Sequence, residues 1–87
     1  MFVIITYDIN EERVNKVRKI LKRYFVWVQN SVFEGEISIG KLEKCKKELQ
    51  LVIVPEEDSI YFYIIENKNN YAKSILGLEK NMDSYIY

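Results

Sequence analysis

Histidine is absent from this sequence, and cysteine and proline occur once each. The lone cysteine excludes an intramolecular disulfide, and the lack of histidine and of a cysteine pair excludes a soft-metal site of the zinc type. Any general base must therefore be a carboxylate, a lysine, a tyrosine or a metal-bound water. No apolar run approaches the roughly 20 residues of a membrane-spanning helix, and no basic leader with a cleavage site precedes the first strand. We therefore expect a cytoplasmic protein.

Glycine is also scarce, and its three residues are scattered, which excludes the Gly-rich effector loop of a small-molecule regulator. Aromatic residues, by contrast, are frequent: seven tyrosines, four phenylalanines and one tryptophan in 87 residues. A chain of this length makes one small domain, residues 1–87, whose core is marginal by surface-to-volume scaling. The aromatic surface exceeds what such a core hides, so we expect part of it to form a contact between two copies of the chain.

The first nine residues, Met1 to Ile9, predict a strand in the middle of a sheet. Most of them are apolar, and they include neither glycine nor proline, a pattern typical of a strand that is apolar on both faces. The run closes with Asp8, where the strand gives way to a turn. A carboxylate held by a rigid strand yet open to solvent suits a hard divalent cation. Alternatively, Asp8 accepts hydrogen bonds from nearby backbone N–H groups and only shapes the turn.

A basic helix follows this turn. Asn10 is a suitable N-cap, and the apolar residues after it recur at three- and four-residue steps, which predicts one buried face. Six basic residues occur in this stretch with no acid among them: Arg13, Lys16, Arg18, Lys19, Lys22 and Arg23. Because the net charge of the chain is zero, the distribution of charge matters more than its sum. The helix either binds a polyanion or is an ordinary solvated surface.

The remaining segments predict an α+β domain. A second helix begins after Ser38, and Cys45 lies on its apolar stripe, which predicts a core residue and not a nucleophile. Strands are expected at residues 25–29, 31–37, 60–65 and 71–76. This order is that of a ferredoxin-like βαββαβ fold, with both helices on one face of an antiparallel sheet. The uncovered face predicts a symmetric homodimer, and we expect residues 66–87, a short extra strand and tail, to pair across it.

Three motifs together resemble a known family. Tyr7-Asp8-Ile9 closes the first strand, the basic helix begins near Arg13, and the string Gln29-Asn30-Ser31-Val32-Phe33-Glu34-Gly35-Glu36 follows that helix. In order and spacing, residues 1 to about 66 resemble the family of CRISPR-associated protein 2, a small nuclease of the adaptation stage.

The resemblance implies a homodimer in which Asp8 of each subunit approaches the two-fold axis and binds one divalent cation, Mg²⁺ or Mn²⁺. It also implies metal-dependent endonuclease cleavage of RNA or DNA, with Asp8 as the catalytic residue. In the family, the dimer bridges copies of the CRISPR integrase subunit during spacer acquisition. The alternative is that cleavage is dispensable, and that the protein is a scaffold that bridges integrase subunits and binds duplex DNA.

The chemistry is consistent with a dimer. Phosphodiester hydrolysis needs a cation with several ligands, and one chain supplies only Asp8 at a suitable place. Two-fold symmetry supplies a second carboxylate, and a cation between the two relieves their repulsion. Tyr7 and Phe33 either border this site or pack in the core. Alternation along the strand points Tyr7 away from Asp8, which favours packing for Tyr7.

Nucleic-acid binding is expected from Arg13, Arg18 and Lys22. Guanidinium groups suit phosphates, although a helical step of about 100° per residue keeps the basic side chains from all pointing one way. Arg13 ranks first, because it starts the helix and lies nearest Asp8.

Overall fold

The computed structural model describes residues 1–67 and 70–77. Within these residues, two helices pack on a five-stranded antiparallel sheet, so the predicted α+β order is confirmed. In chain order the elements are β1 (Phe2–Asp8), α1 (Glu11–Tyr24), β2 (Val26–Gln29), β3 (Val32–Glu36), α2 (Ile39–Gln50), β4 (Ser59–Asn67) and β5 (Asn70–Gly77). The strands lie in the order β2-β3-β1-β4-β5, which places β1 in the centre. Neither helix in the described ranges is long and apolar enough to span a membrane.

β1 is paired along both edges, with β3 on one side and β4 on the other. Its side chains alternate between the two faces of the sheet. Val3, Ile5 and Tyr7 are buried in the core beneath the helices, whereas Ile4 and Asp8 point to the opposite face. The central strand therefore carries the core on one face and ends in Asp8 on the other.

The helices begin at their predicted capping residues. Asn10 accepts a hydrogen bond from the backbone N–H of Glu12 at 2.9 Å, and Ser38 accepts one from that of Lys41 at 3.3 Å. The buried residues are Val17, Ile20 and Leu21 in α1 and Leu42, Cys45 and Leu49 in α2. Burial raises the pKa of the Cys45 thiol to about 12, so the thiol stays protonated. The prediction of a core cysteine is confirmed.

The face of the sheet opposite the helices is rich in aromatic side chains on β4. Tyr61 is buried although it does not belong to the core beneath the helices, and its ring stacks on that of Tyr63 at a centroid distance of 6.3 Å. Phe2 and Ile65 pair across β1 and β4 and are half-buried on this face. This is the surface that the predicted homodimer would cover.

β5 lies beside β4 of the same chain, from Gly77 opposite Ser59 to Asn70 opposite Asn67. Gly77 has a φ of 95°, and a Cβ at this position would overlap the carbonyl oxygen of Asp58, so only glycine fits there. The predicted extra strand is thus confirmed. Its pairing across a homodimer stays a prediction, because one chain does not test it. The predicted tail beyond Gly77 lies outside the described residues.

Candidate functional site

Asp8 lies at the end of β1, on the face of the sheet that the helices leave uncovered, and its side chain is exposed. Directly across the β1–β4 ladder stands Ser59, whose side chain is buried. Among the residues that the structure describes, no group of three or more acidic, histidine or cysteine side chains could hold a metal ion. The described part of the chain therefore offers a carboxylate at a rigid and open position, but not a complete set of ligands.

Two hydroxyl side chains lie on the same face of the sheet as Asp8. The hydroxyl groups of Thr6 and Ser59 are buried and have no hydrogen-bond partner within the described residues. Thr6 shares the face of β1 with Asp8 but pairs with Val32 and Tyr61, whereas Ser59 stands directly opposite Asp8. The carboxylate of Asp8 and the hydroxyl of Ser59 are oxygen groups, which suit a hard cation such as Mg²⁺ or Mn²⁺ and not a soft metal. The residues present therefore fit the predicted type of cation, and the identity of the metal stays a prediction.

A second carboxylate fixes the backbone next to Asp8. Asp58 is completely buried, and it accepts hydrogen bonds from the backbone N–H of Asn10 at 2.9 Å and from that of Val54 at 2.8 Å. Arg13 donates two more, from Nε at 2.7 Å and from Nη2 at 3.0 Å. Burial alone would raise the pKa of Asp58, but these hydrogen bonds lower it to about 2, so the carboxylate stays charged. Asp58 thereby ties the segment that follows Asp8 to the start of β4.

Arg13 is held by acids at the position where the sequence predicted a phosphate contact. Besides Asp58, its guanidinium binds the carboxylate of Glu57 at 2.8 Å, and its side chain is only 16% exposed. The hydrogen bonds with Asp58 and Glu57 raise the pKa of Arg13, so it remains charged. In this geometry the charge of Arg13 is already balanced. Its contact with nucleic acid stays a prediction, and the occupied guanidinium argues against it.

Arg18 contacts the end of β1 that carries Asp8 by a hydrogen bond to Tyr7. Arg18 Nε donates a hydrogen bond to the Tyr7 hydroxyl at 3.1 Å, and this hydroxyl donates a long one, 3.5 Å, to the carbonyl of Asn30. The rings of Tyr7 and Phe33 are both buried, with their centroids 6.0 Å apart. Of the two alternatives for Tyr7 and Phe33, core packing therefore describes both residues. The Tyr7 hydroxyl meets Arg18 at the edge of that core.

The exposed basic surface of α1 is concentrated in its middle. At the end of the helix, Arg23 pairs with Glu48 of α2 at 2.5 Å, and the Tyr24 hydroxyl also donates to Glu48. The hydrogen bond from Tyr24, with the charge of Arg23, lowers the pKa of Glu48. Four basic side chains before this point are exposed: Lys16, Arg18, Lys19 and Lys22. Because Arg18 and Lys22 are four residues apart, they share one side of the helix and are accessible to a partner.

Asp58 is the residue of this site that sequence reasoning missed. It appears in the sequence as the last acid of the connector Glu56-Glu57-Asp58, and the other two acids, Glu56 and Glu57, are exposed. The one available signal was its position immediately before a strand, where a carboxylate can accept hydrogen bonds from loop N–H groups. Its partners Arg13 and Asn10 lie 45 and 48 residues away, beyond the reach of any local pattern.

Comparison with known proteins identifies relatives over nearly the whole chain. A family model described as CRISPR associated protein Cas2 matches residues 1–73. A protein of Thermodesulfovibrio yellowstonii named CRISPR-associated endoribonuclease Cas2 3 is 66% identical over 85 residues, which cover 98% of this chain and 97% of the relative. The CRISPR-associated endoribonuclease Cas2 of Thermotoga maritima is 47% identical over 87 residues, 100% of both chains.

Solved structures share the fold. A crystal structure of cas2 matches with a TM-score of 0.73 and 51% identity over 80% of this chain and 79% of the other. The crystal structure of Streptococcus pyogenes Cas2 at pH 6.5 matches with a TM-score of 0.70 and 37% identity over 79% of this chain and 89% of the other. Sequence and architecture therefore agree that this chain belongs to the Cas2 family of CRISPR-associated proteins.

Proposed function

We propose that this protein is a CRISPR-associated endonuclease that cleaves phosphodiester bonds of RNA or DNA with Mg²⁺ or Mn²⁺ bound at Asp8. The relatives from T. yellowstonii and T. maritima carry the name endoribonuclease, which supports the activity. The observation that carries the proposal is the position of Asp8, an exposed carboxylate at the end of a central strand whose following turn is fixed by Asp58. A rigid acid that solvent can reach is what a hard cation requires.

Each residue of the site has its own task in this proposal. Asp8 would hold the cation, which would supply charge neutralisation at the phosphoryl oxygens and activation of water. Asp58 and Arg13 hold the turn that follows Asp8. Arg18 and Lys22 bind phosphates of the nucleic acid. The hydrogen bond from Arg18 to the hydroxyl of Tyr7 places Arg18, and with it the bound nucleic acid, at the end of β1 that carries Asp8.

The functional unit in this proposal is a homodimer. Within residues 1–67 and 70–77, one chain supplies only Asp8 to the cation, whereas a two-fold axis close to Asp8 brings the Asp8 of a second copy to the same cation. Two ionised carboxylates at one site repel each other, and a divalent cation removes that repulsion. The half-buried side chains of Phe2 and Ile65 support the contact, because they lie on the same face of the sheet as Asp8. Metal binding and dimerisation therefore strengthen each other.

A second function, that of a scaffold, is supported by the separation of the basic surface from Asp8. Arg18 and Lys22 are exposed on α1, which packs on one face of the sheet, whereas Asp8 lies on the opposite face. Duplex DNA can therefore bind to α1 without involving the carboxylate. In this alternative, the dimer bridges copies of the CRISPR integrase subunit in the cytoplasm during spacer acquisition, and cleavage is dispensable.

Replacing Asp8 by Asn tests the enzyme proposal, because it removes the charge and keeps the volume. We expect Asp8→Asn to lose the Mg²⁺- or Mn²⁺-dependent cleavage of labelled RNA and duplex DNA, while its circular dichroism spectrum and light-scattering mass match those of the wild type. Glu11→Gln is the matched control. It removes an exposed carboxylate from the first turn of α1 and should cleave at the normal rate.

Cleavage by Asp8→Asn at the wild-type rate would place the active site elsewhere. If the wild type cleaves neither substrate with either cation, the enzyme proposal fails and the scaffold function is tested by spacer integration with the integrase subunit. Asp8→Asn should then still support integration. The double variant Arg18→Glu and Lys22→Glu should not.

A further inference from the structure

Two buried hydroxyl groups near Asp8 lack a hydrogen-bond partner in the part of the chain that the structure describes. They belong to Thr6 and Ser59. A buried hydroxyl without a partner destabilises a folded protein, so each instance calls for an explanation, and a catalytic role or an unseen ion is among the usual ones. Ser59 is the stronger case, because the exposed fraction of the residue is 0%.

Ser59 is the direct partner of Asp8 across the β1–β4 ladder. Residues paired in this way point to the same face of the sheet, with their Cβ atoms about 5 Å apart. Because the Ser59 hydroxyl is closed to solvent, the oxygen atom it can reach from this position belongs to the Asp8 carboxylate itself. Thr6 is placed differently, because its direct partners are Val32 and Tyr61 and not an acid.

The backbone at Ser59 is fixed by its surroundings. Asp58, the preceding residue, accepts four hydrogen bonds. Gly77 of β5 packs so closely on the carbonyl of Asp58 that no side chain fits between them. These contacts fix the position of the Ser59 hydroxyl before any ligand binds, which is what a preorganised site requires.

We infer that Ser59 is a positioning residue of the cation site at Asp8, an inference that rests on the proposed function. Its hydroxyl donates a hydrogen bond to the Asp8 carboxylate when that carboxylate holds the divalent cation, so binding of the cation supplies the partner that this hydroxyl lacks. Hydrogen bonds of this kind orient metal ligands, and their loss typically weakens metal binding by about 10- to 100-fold. For one neutral hydroxyl we expect the lower end of that range, about tenfold.

The test measures Mn²⁺ binding by isothermal titration calorimetry and the melting temperature of the metal-free protein. Ser59→Ala should bind Mn²⁺ about tenfold more weakly. Its metal-free melting temperature should equal or exceed that of the wild type, because the change removes an unpaired buried hydroxyl. Thr6→Val is the matched control, since it removes the other unpaired hydroxyl and should leave the affinity unchanged. Asp8→Asn should abolish binding.

Four results would overturn the inference. Wild-type Mn²⁺ affinity in Ser59→Ala, with no binding in Asp8→Asn, would reject the role of Ser59 and leave the proposed function intact. If Thr6→Val and Ser59→Ala weakened Mn²⁺ binding equally, any loss of a hydroxyl on this face of the sheet would have the same effect, and Ser59 would have no special role. A lower metal-free melting temperature in Ser59→Ala would show that the hydroxyl has a structural partner. Failure of the wild type to bind Mn²⁺ would overturn both this inference and the metal-dependent function.

Discussion

Replacing Asp58 by Asn removes the charge at the centre of the hydrogen-bond network beside Asp8. Breaking a buried ion pair by removing one partner costs about 3–5 kcal/mol of unfolding free energy. Asn keeps the volume of the side chain and one hydrogen-bond acceptor, and Arg13 retains Glu57 as a partner. We therefore expect a loss of unfolding free energy at the low end of this range, about 3 kcal/mol at pH 7. For a small domain this is a large share of a total stability of about 5–15 kcal/mol. Urea unfolding at equal protein concentration measures the difference.

The same carboxylate predicts how stability depends on pH. The pKa of Asp58 is lowered from 3.8 to about 2 in the folded protein. The contribution of this carboxylate to the free energy of unfolding is therefore fully present above about pH 4 and is lost as the pH falls through about 2. A tenfold difference in proton affinity is worth about 1.4 kcal/mol. Solvent around Arg13 and Glu57 screens part of the interaction, so we expect about 1–2 kcal/mol from this source. The difference in unfolding free energy between the wild type and Asp58→Asn should therefore decrease by about 1–2 kcal/mol between pH 4 and pH 2.

Glu57→Gln is the matched control for Asp58→Asn. Glu57 binds the same arginine, but its side chain is 56% exposed, and exposed ion pairs contribute less than about 1 kcal/mol. The reasoning would be refuted if Asp58→Asn cost no more than Glu57→Gln. A gap between wild type and Asp58→Asn that stays constant from pH 4 to pH 2 would refute the pH argument separately.

Two further predictions concern nucleic-acid binding and assembly. Arg18→Glu with Lys22→Glu should weaken binding to all duplex sequences alike and reduce the log–log salt dependence by about 0.9 for each phosphate that the helix no longer neutralises, as fluorescence anisotropy at increasing salt would show. An equal decrease in affinity and slope on reversing the exposed Lys44 and Lys47 of α2 would show that only net charge matters. Light scattering should give twice the chain mass of 10.4 kDa, and a monomer at micromolar concentration would refute the homodimer.

Local patterns in the sequence predicted the elements of this fold well. The alternation in β1 and the helical period around Cys45 depend only on neighbouring residues, and both placed the core correctly. The same patterns did not reveal which strands lie at an edge. β2 was predicted from its apolar residues, yet it lies at an edge of the described sheet, and Val26 and Trp27 are 69% and 54% exposed.

The candidate site was predicted only in part, because its contacts join distant segments. Asp8 was identified from its place at a strand end and from the motif around it. The partnership of Arg13 with Asp58 was not predicted, since it spans 45 residues and depends on how β4 meets the start of α1. The pairing of Asp8 with Ser59 depends on strand register, which an apolar run cannot fix by itself.

The distance in sequence between Arg13 and Asp58 also governs the order in which the protein can fold during synthesis. A nascent chain that ends at residue 50 contains β1, β3 and both helices, but neither β4 nor the carboxylate that anchors the turn after Asp8. One edge of the central strand then stays open to other chains, and contacts of such long sequence separation form slowly. The strand that carries Asp8 is therefore paired along both edges only after β4 has been synthesised. Prematurely terminated chains should aggregate instead of forming a partial site.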